Sequence, residues 1–349
     1  MRVPLFYHHD LRCHRAQRHR GSIGRTSPVE IQFCFSPRNR HRLAFGFVGL
    51  FISAMRNSAP EPGEMDPILG ACEKANVNAA TITRQSKSNL ALAFISLGRE
   101  RKRDMTIFYA FCRVIDDIAD SSELSVAEKQ KQLAAWREML RSADSDEPPL
   151  ARDVRSLMNK YSLSPEMLEE IIAGVEMDLS IFRYATFQDL RVYCYRVASA
   201  VGLVSIEIFG YRNLRCKEYA LELGLALQMT NIIRDVGKDL QASRIYLPQE
   251  DLARCNYSET ELQNRQYNER FVRLMEFEAA RAREFFTRAA AALPFEDRRT
   301  MVPAEIMGSI YRGLLRRMER DKFRVFEKEY RLGRLEKTSR IATQLLKSF

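Results

Sequence analysis

The 349-residue chain carries 55 Lys and Arg against 45 Asp and Glu, a net charge of +10, with only 15 Gly and 12 Pro. Long stretches therefore run without turn punctuation, which favours helices over many short strands. A chain of this size buries a core without disulfide or metal staples. The charge is uneven: residues 1–56 hold ten arginines and two acids, leaving only +2 for the remainder. The basic balance is thus a property of the N-terminal segment and gives no case for nucleic-acid binding. The seven cysteines (Cys13, Cys34, Cys72, Cys112, Cys194, Cys216 and Cys255) form no C-x-x-C pair, as expected of reduced thiols in a cytoplasmic protein. All five histidines lie within the first 41 residues. If that segment stands outside the fold, Ser-His and Cys-His nucleophiles and histidine-bound zinc are excluded.

In chain order, residues 1–42 are rich in Arg and His and show no helical or strand period. Residues 43–55 are apolar but only thirteen long, about 20 Å as a helix, too short to span a bilayer. The expectation is a basic, disordered or spurious extension over 1–66, with translation from Met55 or Met65; a targeting peptide or surface anchor is the alternative. From 67 to 349 apolar residues recur at helical spacing. Helices are predicted over 67–77, 86–97, 104–121, 125–142, 150–160, 164–182, 186–210, 215–240, 259–293 and 297–330. Ser164 before Pro165 reads as an N-cap followed by an N1 proline, and Thr186 with Asp189 as a capping pair. The expectation is one all-α bundle domain with a central cavity.

Two helices carry acids where the apolar pattern predicts burial. In Phe111-Cys112-Arg113-Val114-Ile115-Asp116-Asp117-Ile118-Ala119-Asp120, the three aspartates share a helix face. In Asn231-Ile232-Ile233-Arg234-Asp235-Val236-Gly237-Lys238-Asp239, the residues Asn231, Asp235 and Asp239 recur every four positions and make a second oxygen stripe. Desolvated carboxylates repel one another and need compensating cations. Mg²⁺ meets that need with one or two carboxylates per ion, completing its shell with water and phosphate oxygens. Arg113 and Arg234 stand beside the stripes, suited to phosphate. Either motif alone also fits a solvated helix face. Two of them, each with an arginine and apolar flanks, point to metal-assisted departure of a diphosphate.

The chain resembles the squalene/phytoene synthase family of head-to-head prenyl synthases. The resemblance rests on Gln85-Ser86-Lys87-Ser88, on the two acidic segments, and on Gly174-Val175-Glu176-Met177-Asp178. It rests also on Tyr193-Cys194-Tyr195-Arg196-Val197-Ala198, on Gln228 onward, and on Arg244-Ile245-Tyr246-Leu247-Pro248. It implies an isoprenoid synthase-type fold and prenyltransferase activity. It implies Mg²⁺ on Asp116, Asp117 and Asp120 and on Asn231, Asp235 and Asp239, with Mn²⁺ as a substitute. By the same resemblance Ser86, Lys87, Ser88, Arg113 and Arg234 contact diphosphate, Tyr109 and Tyr193 line the reaction centre, and Gln228 and Tyr311 face the substrate. Cys112 and Cys194 read as packing residues.

The first expectation is condensation of two farnesyl diphosphates to presqualene diphosphate or squalene, within walls that include Ile115, Val197, Val201, Leu227 and Ile232. Phytoene synthesis from two geranylgeranyl diphosphates is the alternative. A non-catalytic helical relative acting in assembly or lipid binding is the reading from another class, and a head-to-tail elongase or terpene cyclase does not fit the Ser-Lys-Ser segment. NADPH use and the oligomeric state stay open. The partners expected are prenyl diphosphates and, through greasy products, a membrane surface. Three positions depart from the family pattern. Asn89-Leu90 replace an aromatic pair, Lys238 an acid, and Ser243 a glycine before Arg244.

Overall fold

The computed structural model describes residues 94–145 and 147–347. The predicted extension, the helix over 67–77, most of that over 86–97, and the residues Ser86, Lys87, Ser88, Asn89 and Leu90 lie outside the described residues. Within them no strand occurs, and the predicted all-α class holds. A 3-10 turn, Phe94–Ser96, leads into α1, Arg99–Asp120. Next come α2, Val126–Arg141, α3, Pro149–Tyr161, and α4, Pro165–Ser180. Local signals set these boundaries. Ser125 and Glu128 close a reciprocal capping box at the start of α2, and Pro165 takes the first position of α4 behind Ser164.

The predicted helix over 186–210 is three segments. The first is α5, Phe187–Cys194, opened by the expected Thr186–Asp189 capping box. A π-helical turn, Tyr195–Ser199, follows, and then α6, Ala200–Phe209. The π turn passes between α4 and the long helix α7, Arg215–Asp239. Glycines on both sides admit it. A Cβ on Gly174 would come within 2.8 Å of Arg196 Cβ, and one on Gly224 within 2.6 Å of Ser199 Cα. The run Phe187–Phe209 is long and apolar enough to cross a membrane, but 67% of its most apolar 18-residue stretch is buried in the bundle.

The C-terminal third departs further from expectation. Short α8, Gln249–Arg254, precedes α9, Glu259–Gln263, and α10, Glu269–Ala292. The single helix expected over 259–293 breaks at Arg265, whose φ of 52° is left-handed, and Asn268 caps the restart through the Phe271 amide. Helix α11, Val302–Arg320, ends where Lys322 and Phe323 also turn left-handed. It stops ten residues short of the expected 330, and α12, Arg334–Lys347, follows unforeseen. The left-handed turns at Arg265 and at Lys322 and Phe323 carry no Gly or Pro, so the apolar period runs through them in the sequence.

Helix α7 is the spine, with α10, α11, α6 and the π turn packed about it. Helix α2 packs on α1, where Trp136 meets the Phe111 ring edge-on at 5.6 Å. Both acidic stripes thus stand on helices whose surroundings exclude water: Ile115 and Ile232 beside them are 0% and 2% exposed.

Candidate active site

The last turns of α1 hold Asp116, Asp117 and Asp120. Asp116 is only 3% exposed, and its Oδ2 is buried without a hydrogen-bond partner. Burial, then the charge of Asp120, push its carboxyl well above the usual range, with Asp117 and Asp178 adding to the shift and Arg113 opposing it. Arg113, one turn earlier, forks onto Asp117: Nε donates to Oδ2 at 2.8 Å, and Nη2 lies 2.5 Å from Oδ1. Lys129 of α2 donates to the Ala119 carbonyl at 2.8 Å; burial pulls its pKa down, against the opposing charge of Asp120.

The second stripe repeats this arrangement on α7. Asn231 is 3% exposed. Its Nδ2 donates to Gln228 Oε1 at 3.3 Å, which leaves its buried Oδ1 without a partner. Arg234 forks onto Asp235 at 2.8 and 2.5 Å, and the buried Tyr311 of α11 faces the same Arg234–Asp235 pair. Asp239 is buried. Its carboxyl is pushed well up by burial and by Asp235, while Arg244 and Lys238 pull it back. The departure at Lys238 therefore does not turn its charge away from the stripe.

A carboxylate outside both stripes links the two. Asp178, at the end of α4, raises both Asp116 and Asp239 by its charge. It accepts hydrogen bonds from Tyr193 at 3.0 Å and Tyr246 at 2.8 Å. Arg244 pairs with its Oδ1 and donates to its main-chain carbonyl at 2.6 Å. Tyr184 lies against the rings of Tyr193 and Tyr246 at 5.7 and 6.0 Å. Burial, then the charge of Asp178, hold the Tyr193 phenol in its protonated form, a donor rather than a base.

Asp178, Arg244 and Tyr246 lie in the segments that carry the family resemblance, where their spacing assigns them no role. Their tie to Tyr193 is hidden in the sequence because three segments, α4, α5 and the loop after α7, must converge to show it. Tyr109 is fully buried on α1, three turns before Asp120. Cys112 and Cys194 are buried as expected, their thiols pushed up by burial.

An apolar cavity opens one residue before Gln228. It encloses about 520 Å³, part of it open to solvent, and is lined from Leu227 back along α7 to Tyr219, by Phe209 of α6, and by Pro303 and Met307 of α11. Of the five expected wall residues only Leu227 lines it. Ile232 faces a smaller hollow beside Asp239 and Arg244, and Ile115, Val197 and Val201 are close-packed core.

The donor set fits a hard divalent cation. Asp116 Oδ2 and Asn231 Oδ1 are buried oxygens that nothing in the protein satisfies, one on each stripe. Among the described residues no three acids, cysteines or histidines converge closely enough to hold an ion alone. Mg²⁺ bound through few protein ligands, with water and phosphate oxygens making up its shell, does not require that they should.

Comparison with known proteins agrees with the resemblance. Residues 83–337 match the family model described as squalene/phytoene synthase. The chain is 32% identical over 283 residues to the 15-cis-phytoene synthase of Synechococcus elongatus, covering 76% of this chain and 91% of that one. It is 35% identical over 262 residues to the phytoene synthase of Arthrospira platensis, covering 70% and 84%. Among solved structures, a dehydrosqualene synthase in complex with a ligand superposes with a TM-score of 0.67 at 27% identity, over 78% of this chain and 95% of that one. The squalene synthase HpnC from Alicyclobacillus acidocaldarius shares the fold with a TM-score of 0.66 at 24% identity, over 70% and 93%. With the match spanning most of the helical region and the acidic stripes, buried carboxylate and apolar cavity in place, this chain belongs to the squalene/phytoene synthase family, prenyltransferases that join two prenyl diphosphates head to head.

Proposed function

We propose that the protein condenses two geranylgeranyl diphosphates into phytoene. The observation that carries this reading is the similarity, over 84–91% of their length, to cyanobacterial proteins named phytoene synthase. It favours the C40 product over the squalene-type product that the sequence alone put first. In this reading Asp116, Asp117 and Asp120 on one side and Asn231, Asp235 and Asp239 on the other hold Mg²⁺, or Mn²⁺ in its place. Held there, the metal would supply charge neutralisation to the departing diphosphate. Arg113 and Arg234 turn from their carboxylates to the phosphate oxygens, two of which can take the guanidinium fork as a carboxylate does. Ser86, Lys87 and Ser88 add contacts to diphosphate. Gln228 fixes the Asn231 amide beside the reacting carbons, and Tyr311 sets the Arg234 fork. Tyr193 and Tyr109 present aromatic faces to the allylic cation. The apolar cavity beginning at Leu227 takes a prenyl tail and keeps water from the cation.

The test is product analysis of the full chain with Mg²⁺, given geranylgeranyl or farnesyl diphosphate separately, with and without NADPH. A C40 hydrocarbon formed without NADPH is the expected result. A C30 product from farnesyl diphosphate alone would restore the squalene-type reading. No turnover of either by a folded protein would leave the non-catalytic one.

A further inference from the structure

The end of the bundle farthest from the acidic stripes along α7 carries two of the most exposed large apolar side chains. Leu214, just before α7, is 73% exposed, and Phe295, between α10 and α11, is 81% exposed. They stand on loops tied to each other. The main-chain amides of Arg212 and Asn213 donate to the buried Asp297 carboxylate at 2.8 and 2.9 Å, and Asn213 Nδ2 donates to Glu296 at 2.9 Å. Both apolar side chains are thus held out on a rigid base, in a place where folding does nothing to bury them. Arginines surround them. Arg212, Arg215, Arg298 and Arg299 are all exposed, and Arg298 lies over the Phe295 ring at 5.4 Å. Over the two loops and the first turn of α7 the exposed acids are Glu296 and Glu218, against these four arginines and Lys217, while Asp297 is buried. This is a local excess of positive charge on a region, residues 57–349, whose total is only +2.

Exposed bulky apolar groups ringed by arginines match the two attractions of an anionic bilayer surface, apolar insertion and headgroup charge. The apolar cavity leads to the same place. Its far lining, Phe209, Tyr219 and Pro303, comes from the end of α6, the first turns of α7 and the start of α11. These are the elements that flank the two loops. From Leu227 to Tyr219 is about 12 Å along α7.

We propose that this end docks on membranes containing anionic phospholipid, with Leu214 and Phe295 inserted below the headgroups and the arginines among the phosphates. The apolar cavity then runs from the diphosphate-binding end of α7 toward the bilayer, the phase into which a prenyl chain partitions. That alignment rests on the proposed condensation; the docking does not.

The test reads the surface directly in the full chain, so that binding by the basic N-terminal segment cannot mimic it. The one native tryptophan, Trp136, is buried, so a Phe295→Trp variant gives a local probe. With vesicles of phosphatidylcholine and phosphatidylglycerol, its emission shifts to the blue and is quenched by brominated acyl chains; with phosphatidylcholine alone it does neither. Adding Arg212→Gln and Arg298→Gln weakens the partition about 30-fold, taking about 1 kcal/mol per arginine near such a surface. Protein that pellets with anionic vesicles while the introduced indole stays solvent-exposed would overturn the proposal. So would a concentration-dependent blue shift in vesicle-free buffer, which would assign the patch to a second copy of the chain. Catalytic turnover does not enter either readout, so failure of the docking is distinguishable from failure of the proposed reaction.

Discussion

Asp178→Asn tests whether the carboxylate between the stripes organises the site. The wild-type carboxylate accepts from Tyr193, Tyr246 and Arg244, so it acts as an acceptor with no proton of its own to give. Burial pushes its pKa up, and the Arg244 charge and the two tyrosine hydroxyls pull it back. An asparagine amide turns one NH₂ toward these donors and leaves the Arg244 charge unbalanced. Breaking a buried ion pair from one side costs about 3–5 kcal/mol. Arg244 keeps the Asp178 main-chain carbonyl and the Tyr246 hydroxyl, so the expected loss is at the lower end, about 3 kcal/mol. Tyr193→Phe removes one hydrogen bond to a charged group and should lose less, about 1.5–3 kcal/mol. Urea unfolding at neutral pH measures both, with an unchanged slope showing that the unfolded state is the same. A loss below about 1 kcal/mol for Asp178→Asn, in the range of an ordinary neutral hydrogen bond, would refute the reasoning.

Three further perturbations separate other features of the fold. Glu278 of α10 is fully buried and shares Arg281 with Asp251; burial first, then Asp251 against the opposing Arg281, push its pKa up to about 8. The folded state therefore keeps a proton that the unfolded chain releases, and stability falls as pH rises from about 4.5 to 8, by at most about 1.4 kcal/mol per pH unit. Glu278→Gln should remove that slope and be the more stable form above pH 8, and urea midpoints across the range check it. Gly224→Ala places a methyl against Ser199 backbone that cannot rotate away, so overpacking of about 1–3 kcal/mol should exceed the gain of about 1 kcal/mol in helix propensity, seen as a lower thermal midpoint. Ser243 occupies a left-handed position, φ 57°, and Ser243→Gly should stabilise by about 1 kcal/mol, again read by urea unfolding.

The parts of the site that lie along single helices were legible in the sequence. Asp116 to Asp120 and Asn231 to Asp239 follow helical spacing, and their apolar neighbours predict the burial that the structure shows. The Asp178 network could not be read that way, because its donors come from residues 193, 244 and 246 and meet only in three dimensions. The π turn at 195–199 was hidden for another reason. It keeps the apolar pattern of a helix and differs only in closing its hydrogen bonds one residue later. Gly174 and Gly224 were its trace in the sequence, small residues where a backbone must pass. The breaks at Arg265 and Lys322 left none, since left-handed residues other than glycine carry no consistent sequence mark.

Arg113 and Arg234 lead to a last consequence. Each closes a fork on the carboxylate that shares its stripe, Asp117 and Asp235. While the forks stay closed, those two carboxylates are already neutralised and offer little to a cation. If a diphosphate takes the arginines, the carboxylates are bared and gain affinity for a divalent cation; each ligand releases the partner that the other needs. Mg²⁺ and diphosphate should therefore bind with positive coupling, at the scale of about 5–150-fold found for linked sites. Calorimetric titration of Mg²⁺ into the full chain, with and without inorganic pyrophosphate and corrected for complex formation in solution, measures it. An Arg113→Gln, Arg234→Gln double variant opens both forks, so it should bind Mg²⁺ more tightly than wild type in the absence of pyrophosphate and show little coupling. Equal Mg²⁺ affinity with and without pyrophosphate in the wild type, or weaker Mg²⁺ binding by the variant, would mean that the forks do not compete with the metal, and the arginines would then serve the fold rather than the exchange.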